Sequence, residues 1–200
     1  MYPLCSWSHS ELCQRLDLLQ QHNLRHELVI ASAQTLEQVF KRIVKQYMTK
    51  ERKGYAPDPA NDGKWGVLNL QTADQRDQIL RDHFQSMKRI KNTWAKLLKP
   101  HGIQPISAII DQVCGNGSWQ GLISNKKITI ASHTRVCPSG LFALRHKLVH
   151  GVHAPSEFHL EVMAAFGADV VKKIMHPEIG ISQHVKWDVT KNISRWPKQQ

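Results

Sequence analysis

Apolar residues recur every three or four positions in several stretches of the chain, which is the spacing of helices that bury one face. The first stretch carries Leu12, Leu16 and Leu19, and either Ser8 or Ser10 is suited to cap its N-terminus. A longer stretch follows, and its stripe consists of Leu28, Ala31, Leu36, Val39, Ile43 and Tyr47. These patterns predict two helices before residue 51.

A capping box opens the next predicted helix. Thr72 and Gln75 stand three positions apart, so each side chain can bond the backbone N–H of the other. The pattern predicts one long helix that ends at Pro100 and buries Ile79, His83, Met87, Ile90, Trp94 and Leu97. Residues 51–64, with two prolines and two glycines, are predicted to form a loop.

The C-terminal half predicts three more helices and one short strand. One helix carries Ile106, Ile109, Ile110 and Val113 and stops at Gly115. The second is capped by Ser139, carries Leu141, Leu144 and Leu148, and reaches Gly151. The third starts at Ser156, carries Val162, Phe166, Val170 and Ile174, and stops before Pro177. Residues 127–130 fit either a short strand or an ordered loop.

Together these segments predict an all-α fold, a bundle of about five to six helices with one long, partly irregular insertion. We expect an N-terminal helical extension over residues 1–24 and a helical domain over 25–176. Residues 177–200, with Trp187 and Trp196 among basic residues, are expected to form a C-terminal arm.

Charge points to the class of partner. The 200 residues include 27 Lys and Arg against 16 acidic residues, a formal net charge of +11. Such an excess favours polyanions, with nucleic acid ahead of an anionic membrane surface. No apolar run approaches the roughly 20 residues that span a bilayer. The N-terminal residues lack the pattern of a secretory signal, and the four cysteines contain no Cys-x-x-Cys pair, so we expect a cytoplasmic protein with reduced thiols.

Candidate chemistry is concentrated at the end of the predicted helix before Gly151. Arg145 and His150 stand there, with the polar residue His146 after the arginine. A guanidinium binds phosphate oxygens in a planar fork, and an imidazole exchanges protons near neutral pH. The combination suits cleavage of a phosphodiester bond by proton transfer, a chemistry that needs no metal.

The same residue types also occur in other combinations along the chain. The Arg-to-His spacing also occurs at Arg15/His22, where an apolar residue follows the arginine, and at Arg76/His83, where the histidine falls on an apolar stripe. A metal site remains open in two versions. Their ligand sets are His146 with His150 and His153, and Cys114 with His133 and Cys137.

The segment Arg145-His146-Lys147-Leu148-Val149-His150-Gly151 resembles the Arg-x4–6-His motif of the HEPN superfamily of ribonucleases. An earlier Glu37-x3-Lys41-Arg42 run is similar to one found in some members, and the resemblance covers residues 25–176. It implies a helical, metal-independent endoribonuclease without cofactors. Such proteins are commonly toxins or phage-defence effectors, usually homodimers, and some have a cognate antitoxin or regulatory partner.

The resemblance also implies roles for single residues. Arg145 would hold the scissile phosphate, His150 would act as general base or general acid, and His146 would position the pair. Glu37 would orient Arg145. The residues implied to contact the RNA are Lys41, Arg42 and Lys147.

Two other functions remain open from the sequence. One is a non-catalytic RNA-binding or adaptor protein, in which a basic face such as that of Lys88, Arg89, Lys91, Lys96 and Lys99 binds phosphates. The other is a metal-dependent hydrolase that uses the histidine row.

Overall fold

The computed structural model describes residues 8–83, 86–124, 126–130, 133–137, 139–151 and 155–185. Within these ranges the fold is mostly helical, which confirms the predicted all-α class. The helices are α1 His9–Gln21, α2 Arg25–Glu51, α3 Ala73–His83, α4 Met87–Leu97, α5 Ile106–Cys114, α6 Ser118–Ile123, α7 Leu141–His150, α8 Glu157–Ile174 and α9 Ser182–Val185. The strands are β1 Lys53–Asp58, β2 Lys64–Asn69, β3 Lys126–Ile130 and β4 His133–Cys137.

The chain divides into two compact units. The first unit comprises residues 1–36 and 110–200, and the second unit comprises residues 37–109. The predicted boundaries at residues 24/25 and 176/177 stay predictions. In the first unit α1 packs on α8: the Lys172 ammonium pairs with Asp17, and the His9 ring nitrogen lies 3.2 Å from the carbonyl oxygen of Lys172.

Local capping explains where several helices begin. The Ser8 hydroxyl accepts a hydrogen bond from the backbone N–H of Glu11, and the Glu11 carboxylate accepts one in return, forming a complete capping box. Thr72 and Gln75 form the predicted box at the start of α3. Ser156 caps α8 as predicted.

Two predictions in the second unit were wrong. The single long helix is two helices, because the chain leaves the helix after His83 and Ser86 caps a new one at Met87. The predicted loop over residues 51–64 is largely part of the antiparallel hairpin β1–β2, in which Tyr55 lies opposite Val67 and Pro57 opposite Trp65. The division into α3 and α4, together with the short helices α6 and α9, explains why the described residues contain more helices than predicted.

The hairpin packs through its glycine-containing face. A Cβ atom at Gly54 would lie 2.7 Å from the end of the Ile79 side chain, so a larger residue at this position would require that side chain to move. The strands are connected by a 3-10 turn at Pro59–Asn61, followed by Asp62 and Gly63 with positive φ angles of 49° and 69°. The second antiparallel pair, β3–β4, includes residues 127–130, so of the two alternatives left open for this segment the structure has the strand.

Most of the predicted helical stripes are core. Residues of the predicted stripe on α2 are buried, and so are Met87 and Trp94 on α4, as predicted. The side chain of His83, also assigned to that stripe, lies outside the described residues, as do Trp187 and Trp196. Among the helices described, none is long and apolar enough to cross a membrane.

Candidate active site on helix α7

Two close backbone approaches fix helix α7 within the first unit. A Cβ atom at Gly140 would lie 2.7 Å from the backbone nitrogen of Ser124, so the start of α7 rests directly on the end of α6. A Cβ atom at Gly167 of α8 would lie 3.0 Å from the Leu141 side chain. Leu141 and Leu144 are fully buried, so the opposite face of α7 is presented outward.

Side-chain hydrogen bonds hold the beginning of α7. The predicted cap, Ser139, was wrong by one position: Gly140 occupies the N-cap and supplies no side chain. The Ser139 hydroxyl instead accepts a hydrogen bond from the Lys147 ammonium at 2.9 Å. The Ser139 carbonyl oxygen lies 3.0 Å from Nε2 of His159, a buried residue in the first turn of α8. This network connects the starts of α7 and α8.

At its other end, α7 stops at Gly151. This residue has a φ of 65° and donates its backbone N–H to the carbonyl oxygen of Lys147. His150 is therefore the last residue of regular helix and stays on the same α-helical path as Arg145. The end of α7 is also where the partial negative charge of the helix dipole accumulates.

His146 and His150 form a pair on the exposed face of α7. Their ring centroids lie 4.4 Å apart with an angle of 53° between the ring planes. Both residues are exposed, so a ligand can reach both rings. Because they stand four residues apart, the helix places them one above the other. The site therefore offers two adjacent groups able to exchange protons.

Arg145 has a different orientation on the helix. It is half-buried and lies next to the face that Leu141 and Leu144 bury. On a regular helix, positions five apart differ by about 140° in direction, so Arg145 and His150 of one chain point to different sides. Between these two directions lies Val149, with 51% of its surface exposed. Sequence reasoning passed over Val149, although an apolar residue in the polar part of the pattern was a readable signal.

The α2 residues implied by the resemblance belong to the second unit. Glu37 and Lys41 form an i,i+4 ion pair, which accounts for their spacing without an RNA ligand. Arg42 is only 9% exposed, so little of its guanidinium is available to an RNA backbone. The contact of Arg42 with RNA stays a prediction, and this burial does not favour it. The role of Glu37 in orienting Arg145 stays a prediction.

The two alternative Arg/His pairs have structural explanations for their arginine or histidine. Arg76 donates one hydrogen bond to the neighbouring Asp77 and another to the Thr49 hydroxyl, and the second bond connects α3 to α2. His22 follows the last turn of α1 as its C-cap. Of the three Arg/His pairs with this spacing, Arg145 and His150 are therefore the pair whose helix also carries a second exposed histidine, His146.

Neither of the two candidate metal sites has a complete set of ligands within the described part of the chain. There, no group of three or more His, Cys, Asp or Glu side chains is placed to hold a metal ion. One member of each proposed set lies outside that part, namely His153 and the side chain of His133.

Comparisons of the chain with protein-family models, with curated proteins and with solved structures give no match. The candidate site therefore stands on its own geometry.

Proposed function

We propose that the protein is a metal-independent endoribonuclease whose catalytic groups lie on α7. The observation that supports it is the contact of the exposed His146 and His150 rings at 4.4 Å, on the helix that also carries Arg145. Cleavage of RNA by its own 2′-hydroxyl needs one group to remove a proton and another to donate one. Two neighbouring imidazoles supply both transfers, and the net charge of +11 favours a polyanionic substrate.

In this scheme His150 and His146 divide the two proton transfers. One imidazole takes the proton of the 2′-hydroxyl, whose oxygen attacks the adjacent phosphorus. The bond from phosphorus to the 5′-oxygen of the next nucleotide breaks, and the second imidazole donates a proton to that oxygen. The products are a 2′,3′-cyclic phosphate and a 5′-hydroxyl. Arg145 binds the phosphate oxygens and stabilises the negative charge that grows on them.

A homodimer resolves the divergence of Arg145 and His150. A two-fold axis that brings two α7 helices together places Arg145 of one protomer beside the histidine pair of its partner. Val149 lies between the two directions and is exposed, so it is suited to the contact between the helices. The proposal thus consists of two composite sites, each with a guanidinium and an imidazole pair from different chains.

Lys147 has a supporting place in the proposal. Its ammonium is half-buried and donates one hydrogen bond to Ser139, which leaves two donors for an RNA phosphate. The resemblance to HEPN ribonucleases extends the proposal to a cytoplasmic toxin or phage-defence effector, with an antitoxin or regulatory partner in those systems that have one.

Incubation of the purified chain with total RNA in EDTA tests the proposal. We expect fragments with 2′,3′-cyclic phosphate and 5′-hydroxyl ends. RNA that is bound in a salt-sensitive manner but stays intact would instead identify a binding or adaptor protein. Cleavage that EDTA abolishes would identify a metal-dependent enzyme.

A further inference from the structure

The second unit carries an aromatic and cationic groove that the proposed active site does not use. One face of the β1–β2 hairpin presents Tyr55, Trp65 and Val67, because residues opposite each other in an antiparallel pair project to the same side. Trp65 is 40% exposed and Val67 is 49% exposed. A hairpin face with this much apolar surface in water is a candidate for a ligand.

Helix α4 forms the other wall of the groove. A cleft of about 430 Å³ lies between Tyr55 and Trp65 of the hairpin and Lys88, Arg89 and Asn92 of the helix. This volume is within the range of about 300–1,000 Å³ that is usual for small-ligand sites. A second cleft, of about 190 Å³, involves the same hairpin and helix through Val67 and Lys96. Along α4, the distance from Lys88 to Lys96 is about 12 Å.

The aromatic side chains in the larger cleft are arranged for stacking. The rings of Tyr55 and Trp65 lie 5.4 Å apart at an angle of 49°. The Arg89 guanidinium carbon lies 5.6 Å from the centre of the Trp65 ring. Aromatic rings and guanidinium planes are the groups on which unpaired bases stack.

Charge in the groove selects an anionic ligand. Four basic side chains, Lys53, Lys88, Arg89 and Lys96, line the two clefts together with one acidic side chain, Glu51. Lys88 and Arg89 stand in the first turn of α4, which contains no acidic residue. Cations at the N-terminus of a helix lower its stability, so a contribution to helix stability does not explain why these two residues stand there.

We propose that this groove binds single-stranded RNA, with an unpaired base stacked on Trp65 and the flanking phosphates bound by Arg89 and Lys88. The choice of RNA over DNA rests on the proposed function, since the groove itself recognises the chemistry of a base and its phosphate.

Binding of fluorescein-labelled oligouridylate, followed by fluorescence anisotropy, tests the inference. The full chain carries His150→Ala and the buffer contains EDTA, so that the RNA stays intact. We expect Trp65→Ala to weaken binding by about fivefold or more, the loss of one stacked base, with an unchanged salt dependence. Arg89→Gln should weaken binding and lower the slope of log K against log salt by about one, because one phosphate contact is lost.

Matched controls come from residues outside both clefts. Leu18→Ala removes from α1 an apolar side chain of the same exposed fraction as Trp65, 40%, and Lys91→Gln removes a charge from α4, yet neither residue lines either cleft. Both controls should stay within about twofold of the parent protein. Thermal unfolding of every variant checks the fold, and Trp65→Phe should retain most of the affinity because a stacking surface remains.

Several results would overturn the inference. These are unchanged affinity in Trp65→Ala and Arg89→Gln, equal losses in the controls, or tighter binding of duplex RNA than of the single strand. The corresponding deoxyoligonucleotide should bind with comparable affinity, because the groove recognises a base and its phosphate. Loss of binding when the 2′-hydroxyls are removed would overturn this mode of recognition. If the wild-type chain cleaves RNA but Trp65→Ala does not weaken RNA binding, the groove is refuted and the ribonuclease is not. Trp65-dependent binding without any cleavage would refute the ribonuclease alone.

Discussion

The His146 and His150 rings lie 4.4 Å apart on the exposed face of α7, whereas Arg145 is half-buried on a different side of the same helix. One chain therefore brings the two imidazoles together and points the guanidinium in another direction. In the dimer that we propose, the guanidinium and the imidazole pair of each site come from different chains. This relationship determines the predictions about catalysis and assembly.

The histidine pair is the first target for substitution. His150→Ala and His146→Ala should each slow RNA cleavage by about 100-fold or more, which is the usual contribution of a general acid or base. His26→Ala is the matched control, because His26 is also exposed on a helix of the first unit and lies outside α7. Initial cleavage rates at saturating RNA measure the effect. Equal rates in all three variants would remove the histidines from the mechanism.

A mixture of two inactive variants reports whether the site is shared. If Arg145 of one chain serves His150 of the other, Arg145→Ala and His150→Ala chains form heterodimers with one intact site. After random exchange of chains, we expect recovery of up to about a quarter of the wild-type activity, because half the dimers are mixed and each has one of two sites. Each variant alone supplies the baseline. A mixture no more active than its components would place both groups in a single chain or leave the pair without a role.

Val149 tests the dimer contact directly. Val149→Lys places two like charges near the two-fold axis and should shift the chain toward monomer while lowering activity. Val67→Lys is matched in residue type and exposure, 49% against 51%, and should leave the dimer unchanged. Sedimentation velocity of both variants measures the distribution. A Val149→Lys chain that remains as dimeric as wild type would move the interface elsewhere.

The second unit should lose stability in acid through Asp77. The hydrogen bond from Arg76, with Lys45 at 3.4 Å, lowers the pKa of this carboxyl below its ordinary value of 3.8. A group whose pKa is lowered by folding adds stability above its unfolded value, and that stability is lost as the pH falls through the folded value. Asp77→Asn should therefore cost up to about 1 kcal/mol at pH 7, since the pair is partly exposed.

Urea unfolding at pH 7 and below pH 3 measures that contribution. The difference between wild type and Asp77→Asn should shrink as the carboxyl becomes protonated. Asp82→Asn, on the same helix and exposed, should show no such trend. If Asp77→Asn lowers the free energy of unfolding equally at both pH values, the loss results from packing and not from the charge of the carboxylate.

Local signals made much of the fold predictable. The boxes at Ser8/Glu11 and Thr72/Gln75 depend on residues three positions apart, so they can be read without knowledge of the tertiary structure. The gap between α3 and α4 was missed because Ile79, Met87 and Ile90 keep the apolar spacing across the break. The serine cap at Ser86 was the available signal.

Other features depend on contacts distant in sequence. In the β1–β2 hairpin, Pro57 and Gly66 interrupt the alternation of apolar and polar residues that is typical of strands. The sequence signal for this hairpin is the Asp62-Gly63 pair, which is typical of turns. The burial of Arg42 results from tertiary packing around a residue that reads as polar. The position of Arg145 and His150 was predictable, while their relative direction required the helix to remain regular as far as Gly151.

The most direct measurement uses an RNA oligonucleotide digested by the wild-type chain in EDTA, beside the same strand with a 2′-deoxy sugar on the 5′ side of the cut. Mass spectrometry of the products identifies both ends. The account predicts a 2′,3′-cyclic phosphate and a 5′-hydroxyl from the all-ribose strand, and no cut at the deoxy position. An intact all-ribose strand, 3′-hydroxyl ends or cleavage at the deoxy position would contradict it.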